Sequence, residues 1–491
     1  MSSYLLKCNL PGNERNMENM VQAVDPEAVF SDEGPADYRI GITVTAEEKS
    51  LRCQGVMTGR RGGTVTFTDE EIGDPRYGVA AFAQRQKETV RRAVLLLLQK
   101  AGFPPPPWGI LTGVRPSKIY HYLRDLGFPP EVIKEKLETI FLLQPEKAQL
   151  LTEVGEVQRP FFQSAGNRLC VYLGIPFCPT KCYYCSFASY PLTTHAHLVT
   201  GFLEALAYEI QEIGVVLSKI GLRPVTFYIG GGTPTVLTAD QLRTLLEQIR
   251  QHFPLGELRE FTVEAGRPDT LDQEKLALLR AFGVNRISVN PQTTNPQTLA
   301  RIGRQHTIAQ LETAMEMVRA VGFPCVNMDM IVGLPGEGEE DWTRTLEKLL
   351  AYEAENITVH TLAPKKAATW DFAMVKGEIA GERVAQWLAV AAARLRSKGY
   401  HPYYLYRQRR SVAEQENCGY TRPGRESIYN IMMMEERAPV LGLGGGGMSK
   451  WFNPDGLVVT RTPNPKCPAT YRHRIKELVA EKVNKLLTMV N

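Results

Sequence analysis

Three cysteines in the segment Cys178-Pro-Thr-Lys-Cys182-Tyr-Tyr-Cys185 carry the sharpest chemical signal in this 491-residue sequence. Gaps of three and then two residues let one loop wrap one small inorganic cluster, and thiolates are the ligands that iron–sulfur clusters require. Four cysteines would saturate four irons. Three leave one iron open to bind another molecule, which points to a catalytic centre rather than a pure electron carrier. Zinc is the rival metal. A structural zinc site wants four ligands, and the nearest further candidates, His195 and His197, stand ten and twelve residues past Cys185. The other six cysteines (Cys8, Cys53, Cys170, Cys325, Cys418 and Cys467) are dispersed, so no disulfide scaffold is indicated.

A second signal is Ile229-Gly230-Gly231-Gly232-Thr233-Pro-Thr235. Glycines let a backbone approach a ligand closely and expose its N–H and C=O groups. A phosphate loop is the competing reading, but no Lys-Ser or Lys-Thr follows the glycines. Glu264, in Thr262-Val-Glu-Ala-Gly-Arg-Pro268, offers a carboxylate to sugar hydroxyls or an amine. Gln292, Arg304 and Asp329 are further polar residues at comparable points. Each taken singly is as readily a structural hydrogen bond.

The elements that must position these residues follow a regular alternation. Leu169–Ile175, Val225–Ile229, Glu260–Glu264, Arg286–Asn290, Cys325–Ile331 and Asn356–His360 read as strands, and an amphipathic helical pattern follows each. In the first helix Phe202, Leu206, Ile210, Ile213, Leu217 and Ile220 share one face. Thr238-Ala-Asp-Gln241 and Thr270-Leu-Asp-Gln273 read as capping boxes. Further helices are expected near Ile308–Val321, Glu340–Tyr352 and Glu382–Ser397. Six βα units imply a parallel sheet, either an open six-stranded partial barrel or an open doubly wound sheet. In both, ligands gather beyond the C-terminal strand ends. The cysteines directly follow the first strand, and the polar residues follow or end later ones.

The flanks read differently. Tyr38–Thr45 and Thr64–Thr68 are predicted strands, with a turn at Gly59–Gly63, and Val79–Ala101 is a predicted helix stopped by Pro104–Pro107. Helical patterns run from Ser117 to about Val157. We divide the chain into a small α/β domain (1–107), a helical linker (108–164), an α/β core (165–380) and a C-terminal α+β cap on the substrate side (381–491). In the cap, Tyr403, Tyr404 and Tyr406 interleave with Arg407, Arg409 and Arg410, and a last helix spans about Ala469–Met489. A net charge of +4 does not argue for nucleic acid. The longest aliphatic run, Ala93–Leu98, is far short of the ~20 residues a membrane span needs. The N-terminus lacks a signal-peptide pattern, so a cytoplasmic protein is expected.

The cysteine spacing and its frame, Tyr172 with Ile175-Pro-Phe-Cys178, resemble the radical S-adenosylmethionine (SAM) superfamily, and more narrowly the oxygen-independent coproporphyrinogen III oxidase family. The resemblance is strong over 168–365 and looser over 400–452. The N-terminal 160 residues, with Trp108–Lys118, resemble the branch called coproporphyrinogen dehydrogenase of HemZ type. The resemblance implies a [4Fe–4S] cluster on Cys178, Cys182 and Cys185, with SAM on the open iron and a SAM-derived radical that abstracts hydrogen. It implies SAM contacts at Tyr172, Tyr184, Gly231, Gly232, Thr233, Glu264, Gln292, Arg304 and Asp329. It also implies the open (β/α)6 partial barrel as the fold.

By the same resemblance the reaction would be oxidative decarboxylation of two propionates of coproporphyrinogen III to the vinyl groups of protoporphyrinogen IX. A reduced flavodoxin or ferredoxin-like donor would supply electrons. Two departures stand beside the cluster. Decarboxylating oxidases of the family carry a fourth cysteine where this chain has Phe187, and a histidine where it has Gly174. The alternatives are a haem-binding chaperone of the same family, or a radical SAM methyltransferase or ring-opening enzyme acting on a tetrapyrrole. Arg407, Arg409 and Arg410 are candidates for propionates, against the reading of a solvated basic surface. Cys418 and Met432–Met434 are candidate haem ligands in a chaperone, against core packing. Gly444–Gly447 reads as a turn beside the site.

Overall fold

The computed structural model describes residues 1–46, 50–59, 63–72, 79–162, 168–363, 381–408, 415–452 and 459–489. Contacts divide the chain into two compact units, 1–156 with 407–410, and 157–406 with 411–491.

In the first unit β1 (Ser3–Cys8) pairs in parallel with β2 (Val29–Phe30) and β3 (Tyr38–Ala46). Antiparallel β4 (Ser50–Gly59) and β5 (Thr64–Ile72) complete the sheet, whose order is β2-β1-β3-β4-β5. The expected glycine turn joins β4 and β5, and Gly59 N–H donates to Gly63 O over 2.9 Å; residues 60–62 lie outside the described residues. The helices α1 (Glu14–Val24) and α2 (Val79–Lys100) pack on this sheet and on each other, and α2 buries Val90, Val94, Leu97 and Leu98. Beyond the four prolines stand α3 (Ser117–Asp125), α4 (Pro130–Thr139) and α5 (Pro145–Gln158), each break marked by proline.

In the second unit six strands follow one another in space as they do in sequence. They are β6 (Arg168–Ile175), β9 (Arg223–Gly231), β10 (Glu260–Glu264), β11 (Arg286–Ser288), β12 (Cys325–Val332) and β13 (Asn356–Thr361), all parallel. A doubly wound sheet reverses strand order part-way. Here the order never reverses, so right-handed crossovers place the helices on one face and the sheet curls. This is the open partial barrel. The tiny strands β7 (Phe177–Cys178) and β8 (Tyr190–Pro191) bracket the cysteine loop, and α6 (Leu192–His195) follows them.

The connecting helices are α7 (Val199–Ile220), α8 (Ala239–His252), α9 (Gln273–Ala281), α10 (Pro296–Arg301), α11 (Ile308–Val321) and α12 (Glu339–Ala351). The Thr238–Gln241 capping box is present at α8. The one expected at Thr270 is not. Thr270 sits in a short 3-10 turn, and Asp272 caps α9 by accepting from Lys275 N–H at 2.8 Å. Leu271 is extended, which moves the cap two residues on.

The C-terminal segment adds α13 (Gly381–Ser397), β14 (His401–Arg407), β15 (Glu416–Thr421), α14 (Ile428–Glu435), β16 (Val440–Gly444), β17 (Met448–Phe452), β18 (Val459–Pro463) and α15 (Pro468–Thr488). These strands extend the same sheet at both edges. β15 and β14 continue it beyond β13, and β16, β17 and β18 continue it beyond β6. A fully buried network fastens α15: Glu209 of α7 meets Lys482, accepts from Tyr471 Oη at 2.5 Å and from Gly444 N–H at 2.8 Å. Among the described residues no helix is long and apolar enough to cross a membrane.

Candidate active site

The site forms where β6, β9, β10 and β12, with the segment beyond β11, end. Two chain segments meet first. Gly232 N–H donates to Ile175 O at 2.8 Å and Thr233 N–H to Phe177 O at 2.7 Å, which lays the glycine turn of β9 along the start of the cysteine loop. Gly231 has φ +111°, a backbone region that side chains disfavour. A Cβ on Gly232 would stand 2.4 Å from Phe177 O and 2.9 Å from Cys178 Sγ. The glycines are therefore required by close packing on the cysteines, and Thr233 Oγ1 adds a 3.5 Å contact to Cys178 Sγ.

Cys178 and Cys182 are buried and Cys185 is half-buried. Burial pushes the Cys178 thiol up, with the neighbouring Cys182 adding to it. Burial also pushes Cys185 up to about 11, and Cys182 and Cys178 add to the shift. Thiols must lose their protons to bind metal. Among the described residues no trio of His, Cys, Asp or Glu side chains is gathered as a single-ion site. Arg267, 2% exposed, steadies the loop by donating to Thr180 Oγ1 at 3.0 Å while bridging Asp269 at 3.1 Å.

Arg304 donates to Gly266 O at 3.2 Å and to Asn290 O. Burial works against its charge, but interaction with Tyr184 and Cys182 beside it outweighs this and raises its pKa. It therefore links the cysteine loop to the third and fourth strand ends. Gln292 adopts φ +69°, which a non-glycine residue takes only when its surroundings impose it. They do: Gln292 N–H donates to Asp329 O at 3.0 Å, and Ile331 N–H donates to Gln292 O at 2.9 Å. Gln292 Oε1 and Arg304 Nε are buried without a protein partner. Buried polar atoms of this kind fit a polar ligand.

Two carboxylates complete the arrangement. Glu264 accepts from Tyr228 Oη at 2.6 Å, and burial raises its pKa to about 7, with the charge of Asp329 adding to the rise. Asp329 is half-buried, and its loss of hydration favours the neutral form. His360, Asn327 and Thr358 outweigh that and hold it below the usual aspartate value. Asn327 Nδ2 donates to Asp329 Oδ1 at 2.8 Å, and His360 Nε2 lies 3.5 Å from Oδ2.

Cys178, Cys182, Cys185, Tyr184, Gly231, Gly232, Thr233, Glu264, Gln292, Arg304 and Asp329 are thus one connected constellation. Tyr172 stands a step away, stacked on Tyr228 (6.0 Å) and Tyr429 (6.1 Å). Sequence reading missed Tyr228 and His360. Their signal was available, since each lies on a barrel strand close to its C-terminal end. It also missed His306, a buried histidine whose ring nitrogens have no protein partner and whose pKa burial lowers to about 3.

Of the cap residues, Arg407 is buried rather than solvated: it donates to Leu111 O, with its guanidinium 5.6 Å over the Trp108 ring. Arg409 and Arg410 lie outside the described residues. Cys418, Met432 and Met434 are buried, as core packing requires. The Gly444–Gly447 turn lies beside the end of β6, with Gly445 N–H donating to Gly174 O at 2.9 Å.

Comparison with known proteins agrees with this geometry. The Radical SAM superfamily profile matches residues 172–349. An "oxygen-independent coproporphyrinogen-III oxidase-like protein HemZ" of Bacillus subtilis is 38% identical over 467 residues, covering 94% of this chain and 92% of that protein. This chain belongs to the HemZ-like branch of the radical SAM superfamily. A "heme chaperone HemW" of the same organism is 32% identical over 53% of this chain and 65% of its own length. The solved structure of coproporphyrinogen III oxidase (HemN) from Escherichia coli superposes with a TM-score of 0.51 at 22% identity, over 66% of this chain and 72% of that one. It supports the fold. The superfamily uses a [4Fe–4S] cluster and SAM, and the three-thiol loop, glycine cradle and unpartnered polar atoms fit both.

Proposed function

We propose that the chain catalyses oxygen-independent oxidative decarboxylation of coproporphyrinogen III to protoporphyrinogen IX. The observation that carries this reading is similarity over almost the whole chain, N-terminal unit included, to a protein named as an oxidase-like HemZ. The relatives named as chaperones match 39% to 62% of the chain. In this reading Cys178, Cys182 and Cys185 hold the cluster. Gly231, Gly232, Thr233, Glu264, Gln292, Arg304, Asp329, Tyr172 and Tyr184 surround SAM. Together the two groups supply a radical able to take a hydrogen atom from carbon. The chain's residues orient the SAM carboxylate and ribose and exclude water. Each propionate gives up one hydrogen atom, carbon dioxide and one electron and becomes a vinyl group. A reduced flavodoxin or ferredoxin-like protein is the electron donor, and the released electron passes to an external acceptor.

The test is anaerobic turnover of reconstituted protein with SAM, a reductant, coproporphyrinogen III and an acceptor, followed by mass spectrometry. Expected is the loss of two carbon dioxide units per molecule with 5′-deoxyadenosine formed. Cleavage of SAM with no vinyl product contradicts the reading.

A second reading, haem binding and delivery, rests on one residue. Phe187 occupies the place of the fourth cysteine and is 71% exposed beside the cluster loop. Titration with haem decides it: stoichiometric binding and transfer to an apo-acceptor support the carrier, and their absence removes it.

A further inference from the structure

We infer that His360 is a positioning residue of the SAM pocket, orienting the Asp329 carboxylate and itself fixed by Tyr406. The inference rests on the reading that Asp329 contacts SAM. His360 lies near the end of β13, next to β12, where the register sets Asp329 opposite Thr358, two residues earlier. Its Nε2 lies 3.5 Å from Asp329 Oδ2, and its Nδ1 lies 3.4 Å from Tyr406 Oη. Tyr406 comes from β14, beyond the six barrel strands, and its ring meets the imidazole edge-on with centroids 6.4 Å apart.

The chemistry of the three groups fixes their roles. A carboxylate accepts only, and a phenol hydroxyl readily donates. The consistent assignment has Tyr406 O–H donating to Nδ1 and the Nε2 proton directed at Asp329. Asn327 already occupies Oδ1. Asp329 is thereby held from both sides, its backbone carbonyl tied to Gln292 N–H. A carboxylate so held presents its remaining lone pairs in one direction. Without His360 the Oδ2 side loses that partner, and Asn327 and Thr358 are left to set the angle of the carboxylate. The cap thus reaches the cofactor through Tyr406 and His360, without any cap residue having to touch SAM.

The experiment compares H360Q, H360F, Y406F, D329N and the double variant H360F/D329N in cluster-reconstituted protein, with SAM affinity read by equilibrium dialysis without reductant. Iron content and thermal midpoint monitor folding. Losing a hydrogen bond to a charged group weakens affinity by about tenfold or more. H360F is therefore expected to bind SAM about tenfold more weakly at unchanged iron content. H360Q, which keeps a donor, is expected to stay within about threefold. The double variant is expected to be no weaker than D329N alone, because coupled residues are not additive.

A second readout needs no cofactor. In 15N-imidazole spectra of the apoprotein, His360 is expected to carry its proton on Nε2, and Y406F to shift Nδ1. Unchanged SAM affinity in H360F while D329N is weakened, or additive losses in the double variant, overturns the inference. Unchanged affinity in D329N overturns the reading of Asp329 beneath it. Should H360F fail to retain the cluster, a proton found on Nδ1 in the wild-type apoprotein overturns the inference on its own.

Discussion

Glu264 shows how far loss of hydration, with a neighbouring carboxylate, reshapes one residue. Its folded pKa of about 7 lies above the ordinary 4.5. Between those values the folded chain holds a proton that the unfolded chain has lost, so stability falls as pH rises through this window. At 1.36 kcal/mol per pK unit the loss is about 3 kcal/mol by pH 8. Glu264→Gln should remove that slope, matching the native protein near pH 5 and exceeding it at pH 8. Urea denaturation of the apoprotein across this range checks it, and an unchanged slope in the variant contradicts it. The same titration bears on the site: a charged Glu264 suits a cationic ligand, so SAM affinity should rise from pH 6 to pH 8. Gly174 gives a second residue-scale prediction. A Cβ there would lie 2.4 Å from Gly445 O. Histidine, present at this position in the decarboxylating oxidases by resemblance, therefore cannot be accommodated without moving the β16 turn. Gly174→His should lower the thermal midpoint and cluster content together; a variant matching the native protein in both would show that the turn yields.

At the scale of elements, α14 depends on a carboxylate from another strand. Glu260, at the start of β10, accepts from Ile428 N–H at 2.6 Å and Ser427 Oγ at 2.9 Å, and Arg286 lies 3.7 Å away. The negative charge suits the helix N-terminus. The helix then sets Tyr429 against Tyr228 at 4.6 Å, and Tyr228 in turn holds Glu264. Glu260→Ala leaves Arg286 buried without its carboxylate and should cost about 3 kcal/mol. Near-UV circular dichroism should report loss of the tyrosine stack; an unaltered spectrum would detach α14 from the site. Most elements here were legible. All six strands and the α8 capping box follow from periodicity and local hydrogen-bond chemistry. Position near a C-terminal strand end marked Tyr228 and His360 as candidates, but their roles, like that of Glu260, depend on partners far away in sequence. Glu260 reads as the first residue of a strand, and nothing local announces the helix at residue 428.

At the scale of the molecule, the cap is continuous with the barrel sheet. That too was hidden from sequence: β16 lies beside β6 although some 270 residues separate them, and pairings of that range leave no periodic trace. What holds this closure is the buried Lys482–Glu209 pair, fully shielded from solvent at both ends. Replacing Lys482 by Met strands a buried carboxylate and should cost about 3 to 5 kcal/mol. Chemical denaturation checks the magnitude, and a loss below about 1 kcal/mol would place the closure elsewhere. Departures from the family also become intelligible at this scale. Gly174 answers to the β16 turn, whereas Phe187 stays exposed.

The central claim is that Cys178, Cys182 and Cys185 hold a cluster whose open iron receives SAM. Electron paramagnetic resonance of the anaerobically reconstituted, reduced protein, recorded before and after SAM, tests it most directly. Expected is a signal of a reduced [4Fe–4S] cluster that changes when SAM is added and vanishes when any one of the three cysteines is replaced by alanine. A full-intensity signal in Cys185→Ala, or a native signal indifferent to SAM, would contradict it.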